Sequence, residues 1–170
     1  EAWKQVKAKR GAGGDDGQVI EEFEANAANN LYKLWNRMTS GSYMPKPVRK
    51  VLIPKSDGGK RELGIPTIED RIAQTVAKMY LEPILEPHFH ADSYGYRPKK
   101  SAKDAITVTR KRCWKYNWVI DLDIRKYFNS IDHELLMRAV KRHTSCTWLI
   151  LYIERWLTAP VREEDGTLRE

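Results

Sequence analysis

Trp118-Val119-Ile120-Asp121-Leu122-Asp123-Ile124 reads as an apolar strand with two carboxylates near its end. Successive strand side chains alternate between faces, so this spacing predicts Asp121 and Asp123 on the same side. Two carboxylates on one face are costly to desolvate unless a cation or hydrogen bonds offset their charge. Hard oxygen donors of this kind suit Mg²⁺, which takes one or two carboxylates together with substrate phosphates. Read alone, such a pair is more often a solvated strand edge or half of a local ion pair.

Lys55-Ser56-Asp57-Gly58-Gly59-Lys60-Arg61 offers a second chemistry. Lys55 and Arg61 flank a glycine-rich tip, where two cations and the backbone amides could close over a triphosphate. In isolation it is also an ordinary exposed hairpin. Other site chemistries find less support. Gly58-Gly59-Lys60-Arg61 lacks the spacing and the Ser or Thr of a Walker loop. His88, His90, His133 and His143 show no ligand pattern, and no Ser-His-Asp set can be paired. Cys113 and Cys146 form neither a disulfide framework nor a Cys-x-x-Cys knuckle and read as reduced thiols.

The 170 residues carry 30 Lys+Arg against 23 Asp+Glu, a formal charge of +7. The excess is clustered. Arg97, Lys99, Lys100, Lys103, Arg110, Lys111, Arg112 and Lys115 stand against the single acid Asp104, and Lys46, Arg49, Lys50, Lys55, Lys60 and Arg61 form a second group. With Tyr94, Tyr96, Trp114 and Tyr116 nearby, this composition suits phosphate-backbone contact and base stacking. No apolar run approaches the ~20 residues of a membrane span. No basic-then-apolar leader is visible, so a cytoplasmic location without membrane contact is expected.

The elements that position these residues follow from periodicity and turn chemistry. Gly11 to Gly17 reads as a loop after a short, weakly helical segment. Ile20, Phe23, Ala27, Leu31, Leu34, Trp35 and Met38 predict one amphipathic helix over Gln18 to Met38. Val48–Ile53 and Arg61–Ile65 predict a hairpin around Asp57-Gly58. Thr67 with Asp70 is a capping box opening a helix that Pro83 and Pro87 should break up. Ser101 with Asp104 caps another helix running toward Trp114, Trp118 to Ile124 follows as a strand, and Asp132 caps a further helix. A last helix carries Trp148, Leu149, Tyr152, Ile153 and Trp156. The order helix, hairpin, helix, helix, strand, helix, helix gives an α+β fold without repeats.

Four stretches, taken together, resemble the first reverse-transcriptase motifs of bacterial group II intron-encoded proteins, in order and spacing. They are Ile53 to Thr67, Asp70-Arg71-Ile72-Ala73-Gln74, Ser93-Tyr94-Gly95-Tyr96-Arg97-Pro98, and Asp123 to His133. Gly11 to Gly17 followed by Glu21-Glu22-Phe23 is similar to the N-terminal extension motif of non-LTR-type reverse transcriptases. The resemblance implies the right-hand fold, with an N-terminal extension and helix over 1–45, fingers over 46–115 and a partial palm over 116–170. It implies that Asp123 is the first catalytic aspartate and a Mg²⁺ ligand, with the Ile124 carbonyl beside it. Lys55 and Arg61 would contact the incoming nucleotide's phosphates, and Phe128 would gate against a 2′-OH. Tyr94, Gly95, Tyr96, Arg97 and Pro98 would line the template and nucleotide side of the palm–fingers junction, with Lys99 and Lys100 extending the nucleic-acid-binding stretch. The implied reaction is two-metal, in-line displacement at an α-phosphate, with RNA template (intron RNA), DNA primer and dNTPs as partners.

Asn129 stands where the family commonly has Asp, and Lys126 where a small residue is frequent. No Tyr/Phe-x-Asp-Asp box and no Pro-Gln-Gly segment occur in this sequence. The expectation is an N-terminal piece of a longer enzyme, inactive alone and prone to pair as a homodimer through an uncovered palm face. Two other readings stay open: a non-catalytic maturase-like RNA-binding module, and a polymerase of a retron, diversity-generating element or CRISPR-associated locus.

Overall fold

The computed structural model describes every residue except Lys55, Asp57, Lys126 and Glu170, together with the backbone but not the side chain of Asn129. Helices α1 (Ala2–Ala8), α2 (Ile20–Ala25), α3 (Ala27–Thr39) and α4 (Ile68–Leu85) surround one core with α8 (Thr147–Leu157). Ala2, Val6, Ile20, Phe23, Leu34, Ile68, Ile72, Ala73 and Tyr152 are buried there, with Tyr43 from the loop after α3. Between α4 and α8 lie a 3₁₀ turn (Glu86–His88), α5 (Ala102–Cys113), α6 (Tyr127–Ser130) and α7 (His133–His143).

The predicted hairpin forms as β1 (Val48–Pro54) and β2 (Lys60–Ile65), antiparallel, with Ile53 opposite Arg61 and Pro54 opposite Lys60. The sheet has two further strands, β3 (Val161–Arg162) and β4 (Leu168–Arg169), in the order β2-β1-β3-β4. β3 runs parallel to β1, pairing Val48 with Val161 and Arg49 with Arg162. Two-residue strands carry no periodic signal, so the sequence did not reveal them.

The three predicted caps are present. Asp70 N–H donates to Thr67 Oγ1 (3.2 Å), Asp104 N–H to Ser101 Oγ (3.3 Å), and Leu135 N–H to Asp132 Oδ1 (2.9 Å). Three expectations need correction. The helix over Gln18 to Met38 is two helices, because Asn26 leaves helical geometry at φ −132° and ψ 36°. The Asn30 side-chain amide then caps the Phe23 carbonyl at 3.1 Å, a local competition with helix bonding at which asparagine excels. Pro83 does not break α4; it sits in the last turn, where only one intrahelical donor is lost. Pro87 lies in the 3₁₀ turn beyond it.

The third correction matters most for the site. Residues 118–124 form no strand. A strand is defined by its neighbour's hydrogen bonds, and among the described residues none pairs with this segment. Its apolar side chains are left in solvent: Trp118 is 90% exposed, Ile120 83% and Leu122 88%. Among the described residues, no helix is long and apolar enough to cross a membrane.

Candidate functional site

On the hairpin, Arg61 and Lys60 project exposed from β2 next to the tip, where Gly58 adopts φ +82°. A left-handed residue at this turn is what glycine accommodates without a Cβ penalty. Lys55, the partner expected across the tip, lies outside the described residues. Other members of the same basic cluster are committed to structure. Lys50 Nζ bridges Glu62 (2.8 Å) and Glu163 (2.9 Å), which raises its pKa, and Lys46 Nζ meets Asp16 at 3.0 Å.

The corner from the 3₁₀ turn to α5 is built around Arg97. Its side chain is only 9% exposed. Nε donates to Glu86 at 3.1 Å and Nη2 to the same carboxylate at 2.7 Å, while Nη1 donates to the carbonyls of His90 (2.6 Å) and Ser93 (2.9 Å). The guanidinium also stacks over Phe89 at 5.3 Å. These bonds hold the Glu86 carboxyl below the usual range. Arg112 does the same for Asp92, binding it at 2.5 Å, and Lys100 Nζ donates to the Ala91 carbonyl at 2.8 Å above the Tyr94 ring. Burial and the adjacent Asp92 raise the Tyr94 phenol.

The corner therefore presents Tyr96 rather than Arg97. Tyr96 is 99% exposed at φ +56°, and Lys99, also exposed, has φ +59°. Two non-glycine residues in left-handed geometry mark strain that the Arg97 clamp holds in place. Among the described residues nothing lies within 4 Å of a Cβ added at Gly95, and Pro98 follows Arg97 toward α5. No side chain of α5 is buried. Lys103 and Lys111 are exposed on it, and Arg110 stacks over the exposed Trp114 at 5.1 Å.

Asp121 and Asp123 are both exposed, in the segment without regular structure. Phe128, in α6, is 75% exposed and packs edge-on against Tyr127 at 5.3 Å. Among the described residues, no group of three or more His, Cys, Asp and Glu side chains comes together as a metal site. A carboxylate of Asp123 and the carbonyl of Ile124 are the right kind of donors for Mg²⁺ and too few to complete its six ligands.

Two supports escaped sequence reading. Gly11 to Gly17 packs against the start of α4, where a Cβ on Gly14 would lie 2.5 Å from Thr67 Cα. Arg71 donates from Nε to the Pro66 carbonyl (3.0 Å) and from Nη2 to the Ala12 carbonyl, and Asp15 pairs with Arg162 at 2.5 Å. Asp70 is the second support. Buried in the core, it accepts from Thr67 (2.6 Å), from the Lys46 amide (3.4 Å) and from the Tyr43 hydroxyl, whose pKa burial and Asp70 drive up. Trp156 Nε1 donates to Tyr43 at 3.1 Å, and Tyr152 donates to the Met38 carbonyl at 2.5 Å. Thus α4 and α8 jointly fix the loop that feeds β1 and the hairpin. The Asp70 capping spacing was a signal for its helix but not for this hub.

Compared with known proteins, residues 53–170 match the family described as "Reverse transcriptase (RNA-dependent DNA polymerase)". The chain is 42% identical over 137 residues to protein YkfC of Escherichia coli, covering 78% of this chain and 36% of that protein. It is 32% identical over 166 residues to the COX1/OXI3 intron 1 protein of Saccharomyces cerevisiae, covering 98% and 20%. It is 31% identical over 137 residues to the group II intron-encoded protein LtrA of Lactococcus lactis, covering 80% and 23%. The chain thus spans a minor part of the length of each of these relatives. With the match running from the hairpin to its last residue, the chain belongs to the reverse transcriptase (RNA-dependent DNA polymerase) family.

Proposed function

We propose that this chain is the fingers and first part of the palm of a group II intron reverse transcriptase with maturase function. The parent polymerase copies intron RNA into DNA from a DNA primer and dNTPs. The observation that carries this reading is the family match over residues 53–170. It contains, in the family's order, the Arg61 hairpin, the Tyr94–Pro98 corner and Asp123, and the relatives include proteins named for introns and for intron maturases.

In this reading, residues 1–45 are the N-terminal extension, 46–115 the fingers and 116–170 the partial palm. Arg61, with Lys55, binds the nucleotide phosphates through charge-assisted hydrogen bonds. Tyr96, Lys99 and Lys100 face the template on a loop that Arg97 holds in position, with Gly95 and Pro98 shaping the turn. Phe128 lies against the sugar and disfavours a 2′-OH. Asp123 and the Ile124 carbonyl would hold Mg²⁺ together with ligands from elsewhere in the parent, and the bound ion would supply charge neutralisation at the transferring phosphate. Residues 118–124 become a strand when palm strands pair with them, and while unpaired the same apolar run associates with a second copy of the chain.

The test is RNA-templated primer extension by the full polypeptide that carries this chain. Incorporation of dNTPs on RNA supports the proposal. RNA binding with no incorporation under any divalent cation points instead to a maturase-like binding module.

A further inference from the structure

The β1–β2 hairpin leaves the helical core and returns to it at one carboxylate. Lys46 stands two residues before β1, and Thr67 two residues after β2. The Lys46 amide and the Thr67 hydroxyl both donate to Asp70 Oδ2, at 3.4 and 2.6 Å, and the Tyr43 hydroxyl donates to Oδ1. Asp70 is buried, and its own N–H donates back to Thr67 Oγ1 at 3.2 Å. Burial, with the Asp70 carboxylate beside it, raises the pKa of the Tyr43 phenol, so the hydroxyl stays a donor. Tyr43 is in turn held from α8. Trp156 Nε1 donates to its hydroxyl at 3.1 Å, and Arg155 Nη1 donates to its carbonyl.

Other support for the hairpin lies within the sheet. β3 pairs with β1 at Val48 and Arg49, and further out β1 pairs with β2 alone among the described residues. The Lys50 bridge from Glu62 to Glu163 likewise joins the hairpin to the residue after β3, whereas Asp70 joins both hairpin ends to the helical core. Arg61 lies four residues from Ile65, the last residue of β2. At ~3.3 Å per residue that is roughly 13 Å along the strand, so a tilt of a few degrees at the root moves Arg61 by about 1 Å. Displacements of that size are enough to weaken a positioned contact.

We propose that Asp70, together with Tyr43, is a positioning residue for nucleotide binding: it fixes the angle at which the hairpin leaves the core and so places Arg61 on the phosphates. The assignment rests on the nucleotide role given to Arg61 above. A merely structural Asp70 would affect stability alone, whereas a positioning one acts through Arg61.

In the full polypeptide, dNTP KM and kcat for RNA-templated primer extension are measured for Asp70→Asn and Tyr43→Phe, alone and combined with Arg61→Ala. Asn keeps the shape of Asp and turns one acceptor oxygen into a donor group; Phe keeps the buried ring and removes only the hydroxyl. Each should raise dNTP KM roughly 3- to 10-fold, the scale of one hydrogen bond, with kcat changed less than about twofold. In the Arg61→Ala background the same substitutions should raise KM by less than about twofold, because the contact through which they act is gone. Phe23→Leu, which trims a buried ring packed on Trp3, should lower the melting temperature and leave dNTP KM unchanged. Amide exchange in β1 and β2 should quicken in Tyr43→Phe and not in Phe23→Leu. Equal KM effects with and without Arg61, a KM rise in Phe23→Leu matching that of Tyr43→Phe, or unchanged hairpin exchange in Tyr43→Phe would each overturn the proposal. Raised KM for Arg61→Ala beside wild-type KM for Asp70→Asn and Tyr43→Phe refutes the positioning role alone. Unchanged KM for Arg61→Ala refutes the nucleotide contact, and the positioning role with it.

Discussion

Arg97 and Arg61 carry the same charge and opposite burdens. Arg97 spends its donors on Glu86, His90 and Ser93, whereas Arg61 stands exposed on β2. Arg61→Ala in the full polypeptide should therefore raise the dNTP KM roughly 10- to 100-fold through loss of charge-assisted contacts worth ~1.5–3 kcal/mol, leaving the fold intact. Phe128→Ala should instead lower discrimination against ribonucleotides, with little change in dNTP KM. Steady-state kinetics with paired dNTP and rNTP substrates separates the two effects, and unchanged values for both variants would refute these roles. Gly14 is constrained for a different reason: a Cβ there would lie 2.5 Å from Thr67 Cα, a backbone atom that cannot rotate away. Gly14→Ala should cost about 1–3 kcal/mol by overpacking, read as a lower urea midpoint at constant m.

At the level of elements, caps and amphipathic faces were legible because they are local. Thr67, Ser101 and Asp132 sit where their spacing to Asp70, Asp104 and Leu135 predicts. The hairpin was legible from Asp57-Gly58 between β-rich runs. Residues 118–124 were misread because an apolar run with Asp121 and Asp123 two residues apart describes how a strand would face its layers, not whether a partner is present. Likewise β3 is held by its parallel pairing with β1, a contact between distant parts of the chain. Arg97 and Arg71 were read as surface cations or motif letters because burial of a guanidinium depends on carbonyls that only the fold assembles.

The corner over residues 86–100 makes a pH prediction. Arg97 and Arg112 lower the pKa values of Glu86 and Asp92. A carboxylate with a depressed folded-state pKa stabilises above its unfolded value, and that stability is lost as pH falls through the folded value. The corner should stay closed through the ordinary carboxylate range near ~4 and open only at lower pH. Amide exchange at Ser93, whose N–H donates to the His90 carbonyl at 3.0 Å, reports this opening. Opening centred at or above the ordinary carboxylate pKa would contradict the clamp.

Across the whole molecule, a packed helical core of α1 to α4 and α8 supports an exposed arm from α5 to α6 that bears the bases, the aromatics and Asp123. Trp118, Ile120 and Leu122 place three large apolar side chains, each more than 80% exposed, in one short run, the kind of surface that favours association. The isolated chain should self-associate in a concentration-dependent way by sedimentation, and Ile120→Lys/Leu122→Lys should shift it toward monomer; an equally associated double variant would place the interface elsewhere. The central claim is that Asp123 belongs to a polymerase site and not to a solvated edge. Its most direct test measures RNA-templated primer extension and RNA binding side by side for the full polypeptide and its Asp123→Asn variant. The account predicts that extension falls by orders of magnitude while RNA affinity is unchanged. Extension at near wild-type rate by the Asn variant would contradict it.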